Sequence, residues 1–240
     1  MVNWFPWRRT RRRVEVPRLR PRGEAEAPTK VDLADLTPDA LTLLGRAAYI
    51  QLMIFENLST AVAAAPSADS KDTLGRVAAA ALSRQNGLRL EIERHGAEPG
   101  AAMQPFMAEI DAYQRATQGA DWFEMLVSCH VTAGFLDNFF ARLAAGLPAE
   151  AANRLKVVYA TDAASELLAK EIRAAIEEQP QLSSRLAMWG RRLVGDTMLI
   201  ARASLASSSN LVSDEARIEP VFTELIAAHT RRMDSLGLTA

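Results

Sequence analysis

Apolar residues recur along the chain at spacings of three and four from Leu33 onward, which is the spacing of one face of an α-helix. Ala and Leu, two strong helix formers, dominate the same region. Proline, glycine and capping residues divide it into segments. The pattern predicts helices over about 38–65, 68–96, 102–116, 121–146, 149–178, 181–207 and 213–235. Since no strand-like alternation and no fixed repeat occurs, we expect an all-α protein, a four-helix bundle with additional C-terminal helices.

The ends of the first predicted helix carry clear signals. Thr37-Pro38-Asp39 places a capping hydroxyl before a proline and an acidic residue, so we expect Thr37 to be the N-cap. Pro66 ends the helix because proline cannot continue the hydrogen-bond ladder.

Each of the four long predicted helices has one face that points into the bundle. Apolar residues dominate these faces, with polar interruptions at Gln51, at Arg84 or Gln85, and at Thr161. The predicted inward positions are Leu44, Ala48, Gln51, Phe55, Leu58 and Val62; Leu74, Ala78, Ala81, Leu88 and Ile92; Leu126, Cys129, Ala133, Leu136 and Phe140; and Val157, Thr161, Ala164 and Leu168.

The charge of the chain divides it into two parts. Residues 1–22 contain eight arginines and one glutamate, a balance of +7, while the remaining residues carry a balance of −8. Four prolines within residues 1–30 and like-charge repulsion disfavour a compact structure there. We therefore predict two regions, a flexible basic arm over 1–36 and a helical bundle domain over 37–240.

The arm begins with two tryptophans and a phenylalanine, and a cluster of arginines follows them. This combination suits RNA, where rings stack on bases and arginines pair with phosphates, or an anionic membrane surface. It also suits a groove on another protein. Alternatively, the arm folds back onto the acidic faces of the bundle. The predicted partner-binding residues are Trp4, Phe5, Trp7, Arg8, Arg9, Arg11, Arg12 and Arg13.

The amino-acid composition argues against several classes of protein. A single cysteine excludes an intramolecular disulfide, and three histidines leave little material for a zinc site. There is no run of about 18 apolar residues, as a membrane-spanning helix would need. The N-terminus lacks the apolar segment of a secretory signal. We expect a cytoplasmic protein, with membrane association possible through the arm.

Five segments of the chain resemble an actinobacterial ferritin-like family that is grouped with tRNA hydroxylases of the MiaE type. The resemblance covers about residues 37–240, and the last segment is its most specific part. The segments are Ala48-Tyr49-Ile50-Gln51-Leu52 with Phe55-Glu56-Asn57-Leu58, Glu98-Pro99 to Met103-Gln104-Pro105-Phe106, Asp121-Trp122-Phe123-Glu124, Arg185-Leu186-Ala187-Met188-Trp189-Gly190-Arg191-Arg192-Leu193, and Ala228-His229-Thr230-Arg231-Arg232-Met233-Asp234-Ser235-Leu236-Gly237-Leu238.

The resemblance implies a di-metal centre held by carboxylates on four helices, with Glu-x-x-His pairs one helical turn apart. No such pair exists in this sequence, since Ile92, Val127 and Ile226 stand three residues before the three histidines. The resemblance also implies that every expected ligand position carries a residue of another type. We therefore expect a degenerate di-iron site with no metal, no cofactor and no catalytic residue. The expected metal-ligand positions are Gln51, Ala81, Arg84, Ala133, Thr161 and Ala164.

Several polar residues remain to be placed. We expect Glu56, Glu91 and Glu124 to be solvated or cap-region charges. His130 is either a hydrogen-bonded core histidine or a solvent-facing one, and Cys129 is a small buried hydrophobe.

Arg84 and Gln51 need partners if they point inward, because an unpaired buried charge is strongly unfavourable. They can pair with Glu56 or Asp137, or hold a small anion in the space beside the alanines. Alternatively, Arg84 extends to the surface.

The sequence thus favours a non-catalytic, metal-free ferritin-like bundle that binds a partner through its basic arm. The alternatives are a di-iron hydroxylase of the tRNA-modifying MiaE-like type and a peripheral membrane-associated scaffold. A homodimer formed through a helical face is also open.

Overall fold

The computed structural model describes residues 33–160, 163–205 and 211–238, with side chains for all of them except 211–217. The predicted partner-binding residues of the arm lie outside the described residues. So does Thr161, one of the predicted ligand positions.

The described chain is helical and contains no strand in those three ranges, so the all-α prediction is confirmed. Short 3-10 turns cover Leu33–Leu36, Gln104–Phe106 and Ala144–Gly146. The α-helices are α1 (Ala40–Ala64), α2 (Ala68–Arg94), α3 (Pro99–Met103), α4 (Met107–Ala116), α5 (Trp122–Leu143), α6 (Ala149–Tyr159), α7 (Ala163–Glu178), α8 (Leu182–Ala203) and α9 (Leu211–Ser235).

Helix α5 is the central element of the bundle, because it contacts α1, α6, α7, α8 and α9. Its inward face carries Phe135, Phe139 and Phe140, which are among the largest fully buried side chains of the described residues. Helices α1 and α2 follow each other through a short loop and pack against each other, and α7 closes the bundle against α2 and α5. The core therefore lies between α1, α2, α5 and α7.

The first helix begins later than predicted. Its N-cap is Asp39, whose carboxylate accepts a hydrogen bond from the Thr42 backbone N–H at 3.0 Å. The Thr37 hydroxyl instead donates to the Leu143 carbonyl at 2.5 Å. Thr37 thus ties the entry of the bundle to the end of α5, and its predicted capping role is wrong.

The helix predicted over 149–178 is divided into α6 and α7. Val157, predicted to point inward, is 73% exposed. The prediction failed because a heptad phase that runs back from Ala164 does not continue across an interrupted helix. Ala164 and Leu168, on the C-terminal side of the interruption, are buried as predicted.

Core packing begins before residue 37. Leu33 and Leu36, which the prediction assigned to the arm, are 1% and 4% exposed and belong to the main hydrophobic cluster. Their 3-10 turn packs against α5 and against the turn that follows it. Within the described residues, the packed bundle therefore starts at Leu33.

Gly45 permits the close approach of α1 and α3, and its replacement tests this contact. A Cβ at Gly45 would lie 2.1 Å from the Ala102 carbonyl oxygen, a backbone atom that cannot rotate away. We expect Gly45→Ala to lower the free energy of unfolding by about 1–3 kcal/mol, as overpacking does. Chemical denaturation measures the change.

The matched control is Gly75→Ala in α2, where an added Cβ would meet nothing within 4 Å. Here the same substitution should raise stability by about 0.5–1 kcal/mol, because alanine is the better helix former. Equal effects of the two substitutions would contradict the packing of α3 on α1.

Candidate functional site

A cavity of about 520 Å³ opens at the centre of the bundle, between α1, α2, α5, α7 and α9. Its volume lies within the range of sites that hold small organic ligands. Larger apolar side chains form part of its wall, and three alanines on α2, α5 and α7 leave the space open. The apolar lining includes Ile54, Leu58, Val77, Leu168, Ala81, Ala133 and Ala164.

A charged network lies on one side of this cavity. The Arg84 Nη1 atom of α2 is 3.3 Å from Asp137 Oδ2 of α5, and their side chains are 11% and 17% exposed. The Gln51 amide of α1 donates to Asp137 Oδ1 at 2.5 Å, and Gln51 is 1% exposed. One carboxylate therefore joins three helices. The predicted pairing of Arg84 with Asp137 is confirmed, and the alternative in which Arg84 extends to the surface is wrong.

The structure brings most of the predicted ligand positions together. Ala81, Arg84, Ala133 and Ala164 all line the cavity. Gln51 joins the same place through Asp137. Thr161 lies outside the described residues. That these positions correspond to metal ligands in related bundles stays a prediction.

The described residues at this centre do not fit a di-metal site. A bridged metal pair in a four-helix bundle requires several carboxylates and imidazoles from facing helices. Asp137 already pairs with Arg84, whose guanidinium would repel a dication at short range. In the part of the chain that the structure describes, no group of three or more His, Cys, Asp or Glu residues could hold a metal ion.

Two buried histidines lie close to this centre. His130 of α5 lines the cavity and is 3% exposed, and His229 of α9 is 2% exposed. None of their four ring nitrogens has a hydrogen-bond partner among the described residues. Burial lowers the pKa of His130 to about 3, helped by the positive charge of Arg232. Burial likewise lowers the pKa of His229 to about 4, so both rings are neutral near pH 7.

Both expectations for His130 are therefore wrong, since the ring is buried and has no hydrogen-bond partner in the part of the chain that the structure describes. Tyr159 at the end of α6 resembles it, because its hydroxyl is buried without a partner in the described chain. Burial raises the pKa of Tyr159 well above its usual value, so the hydroxyl keeps its proton. Cys129 is buried as predicted, and burial raises the pKa of its thiol to about 12. A thiol that stays protonated is a poor nucleophile.

Helix α9 contributes two arginines to the cavity lining, Arg231 and Arg232. The Arg232 Nη2 atom donates to the Gly134 carbonyl at 2.7 Å. A Cβ at Gly134 would lie 2.3 Å from Arg232 Nε, so this glycine makes room for the guanidinium. Arg231 also lines the cavity, and Arg142 pairs with Glu224 beside it. Among the residues that the structure describes, four arginines and two acidic residues line the cavity.

The sequence did not single out Arg231 and Arg232 as site residues. They lie in the C-terminal segment that is the most specific part of the resemblance, and this was the one sequence signal that pointed to them. Their position beside α5 follows from tertiary packing, and helical periodicity does not specify how helices pack.

A second buried carboxylate lies away from the cavity, and its environment also differs from the prediction. Glu91 is 1% exposed and receives two hydrogen bonds from Arg154, at 2.8 and 2.7 Å. These hydrogen bonds, together with one from Arg94 at 3.0 Å, lower the pKa of Glu91. Glu91 is therefore a structural link between α2 and α6 and not a solvated charge. Glu124, also buried, accepts from the Ala120 backbone N–H at 2.9 Å, as a cap-region residue does.

The helical bundle with a small-residue centre defines a ferritin-like fold. In agreement, the sequence pattern of a family described as "Ferritin-like domain, actinomycetes" matches residues 37–215. The chain belongs to this family. The match ends before the C-terminal segment that carries Arg231 and Arg232. No curated protein sequence matches the chain.

None of the described helices combines the length and the apolar character needed to cross a bilayer.

Proposed function

We propose that the protein is a metal-free member of the ferritin-like family that acts by binding and not by redox chemistry. One observation carries this proposal: the Arg84–Asp137 ion pair and Gln51 lie at the centre of the bundle, beside a cavity of about 520 Å³. The resemblance supports the proposal, because it implies that Arg84 occupies a position at which related bundles carry a metal ligand.

The network of Asp137 supports binding for a second reason. A carboxylate that forms an ion pair with Arg84 and accepts a hydrogen bond from Gln51 holds α1, α2 and α5 in a fixed arrangement around the cavity. Such a preformed site lowers the entropy lost when a ligand is ordered. The competing function, a di-iron hydroxylase of the MiaE-like type, would need a ligand set that the described residues do not offer.

Iron loading tests the proposal. The full chain is incubated anaerobically with Fe(II), desalted and analysed for metal content, and its consumption of dioxygen is then followed. We expect no stoichiometric iron and no dioxygen consumption above the buffer rate. A di-iron bundle protein treated in parallel confirms that the procedure delivers metal. About two iron ions per chain would contradict the proposal and favour the hydroxylase.

We further propose that residues 1–22 recruit the bundle to a partner with an anionic surface. The support is the sequence alone, with eight arginines beside Trp4, Phe5 and Trp7. The test compares the full chain with a variant lacking residues 1–22 in binding to RNA, to anionic vesicles and to acidic proteins. We expect salt-sensitive binding that is lost on deletion, as counterion release requires. Equal binding by both proteins would contradict this role of the arm.

A further inference from the structure

The cavity has a polar, exposed side and an apolar, buried side. Asn138 of α5 and Glu224 and Arg231 of α9 line it and are exposed at the surface. Ile54 and Leu58 of α1 also line it and are each 2% exposed. A molecule that enters between α5 and α9 therefore meets hydrocarbon surface inside the bundle. Covering this surface contributes favourably to binding.

Two polar side chains of the cavity wall are buried without a partner. His130 of α5 is 3% exposed, and neither of its ring nitrogens forms a hydrogen bond within the described residues. The buried hydroxyl of Tyr159 on α6 forms none there either. Buried polar atoms are normally satisfied by protein, water or a ligand. Because both side chains line the cavity, a ligand inside it can supply the missing hydrogen bonds after small side-chain rotations.

These two groups carry no charge. Burial lowers the pKa of His130 to about 3 and raises the pKa of Tyr159 well above its usual value, so both side chains are neutral near pH 7. A charged group taken out of water needs a charged or strongly polar partner, which a neutral ring and a phenol do not provide. A hydroxyl group can accept from one of the two side chains and donate to the other, and a carbonyl group can accept from both.

We propose that the cavity binds a small uncharged molecule that is mostly apolar and carries one hydroxyl or carbonyl group. Its apolar body lies against α1 and α2, where Ile54, Leu58 and Val77 line the cavity. Its oxygen atom forms hydrogen bonds with His130 and Tyr159. This inference rests on the proposed function, because a metal pair would require the same centre.

Matched probes test the class of ligand. The full chain is dialysed to equilibrium at pH 7 against 2-naphthol, naphthalene and 2-naphthoate, and then against the smaller set 4-methylphenol, toluene and 4-methylbenzoate. We expect at least one of the two hydroxyl compounds to bind. It should bind about threefold or more tightly than its hydrocarbon and its carboxylate, which is the effect of one net hydrogen bond. If neither hydroxyl compound binds, or if the hydrocarbon or the carboxylate binds as tightly, the inference is overturned.

Removing the two polar groups tests which atoms hold the ligand. The double variant His130→Leu, Tyr159→Phe should bind the hydroxyl compound and its hydrocarbon equally, within about twofold. The control is Tyr49→Phe, which removes a hydroxyl that donates to Asp111 and should keep the preference. If the double variant does not fold by circular dichroism, Tyr159→Phe alone replaces it and should reduce the preference. An unchanged preference in the folded variant would overturn the inference.

Filling the cavity tests the place of binding. Ala81→Leu on α2 adds a larger side chain to the cavity wall, and Ala79→Leu on the exposed face of the same helix is the control. We expect the first variant to lose affinity for the hydroxyl compound about tenfold or more and the control to keep it. If Ala81→Leu does not fold, Ala133→Leu on α5 takes its place, because Ala133 also lines the cavity. Unaltered binding by a folded cavity variant would overturn the inference.

Iron content measured on the same preparation separates the two possible failures. Iron-free protein that binds neither hydroxyl compound rejects the ligand class and leaves the proposed function intact. Protein that takes up about two iron ions per chain rejects the proposed function itself, and the inference with it.

Discussion

Replacing Asp137 by alanine should lower the free energy of unfolding by about 3–5 kcal/mol, the loss typical when one partner of a buried ion pair is removed. The Arg84 guanidinium, 11% exposed, would lose the carboxylate beside it. The amide of Gln51, 1% exposed, would lose its acceptor at the same time. Urea denaturation followed by circular dichroism measures the change.

Two further variants test whether this loss of stability comes from the Arg84–Asp137 ion pair. Asn138→Ala replaces the exposed neighbour of Asp137 on α5 and should change stability by less than about 0.5 kcal/mol. Arg84→Met removes the charge of the partner, so adding Asp137→Ala to it should lower stability by less than Asp137→Ala does alone. Additive losses would mean that the two side chains do not interact in solution.

Acidification should destabilise the protein between about pH 6.5 and 4.5, before most carboxylates titrate. The folded-state pKa values of His130 and His229 are lowered to about 3 and about 4, whereas the unfolded chain keeps ordinary histidine values near 6.5. Within this window the unfolded state binds more protons than the folded state, so stability falls as pH falls. Each ring contributes up to about 1.4 kcal/mol per pH unit. We expect a total loss of about 2–5 kcal/mol over the window.

The variant His130→Leu should remove about half of this slope, because leucine cannot take up a proton. Asn138→Ala is the control, since it changes an exposed side chain on the same helix and alters no titratable group. Free energies of unfolding from urea curves at several pH values between 4.5 and 7.5 give the slopes. A flat profile for the unchanged protein would mean that the two rings are already protonated or hydrogen-bonded in the folded state.

Helical periodicity and breakers predicted most of the fold because these signals are local. Pro66 follows the end of α1 as expected, and the helix predicted from residue 121 begins directly after its N-cap, Asp121. The interruption after Tyr159 was missed, since no glycine or proline marks it. The N-cap was assigned two residues early because Thr37 and Asp39 are both good caps, and only tertiary contacts decide between them.

The candidate site was predicted in part. A polar interruption of an apolar face identified Gln51 and Arg84, and the need of a buried charge for a partner gave Asp137 as one of two candidates. The size of the cavity and the contributions of Arg231 and His130 depend on how α9 packs against α5, and no local pattern encodes that. Glu91 shows the same limit, because its partner Arg154 is 63 residues away.

Anomalous diffraction at the iron absorption edge, from crystals grown with excess Fe(II), tests the central claim most directly. We expect no anomalous peak between α1, α2, α5 and α7. We also expect electron density for the Arg84 guanidinium against Asp137, with Gln51 on the other carboxylate oxygen. A pair of iron peaks at that place, with Arg84 turned away, would contradict the claim.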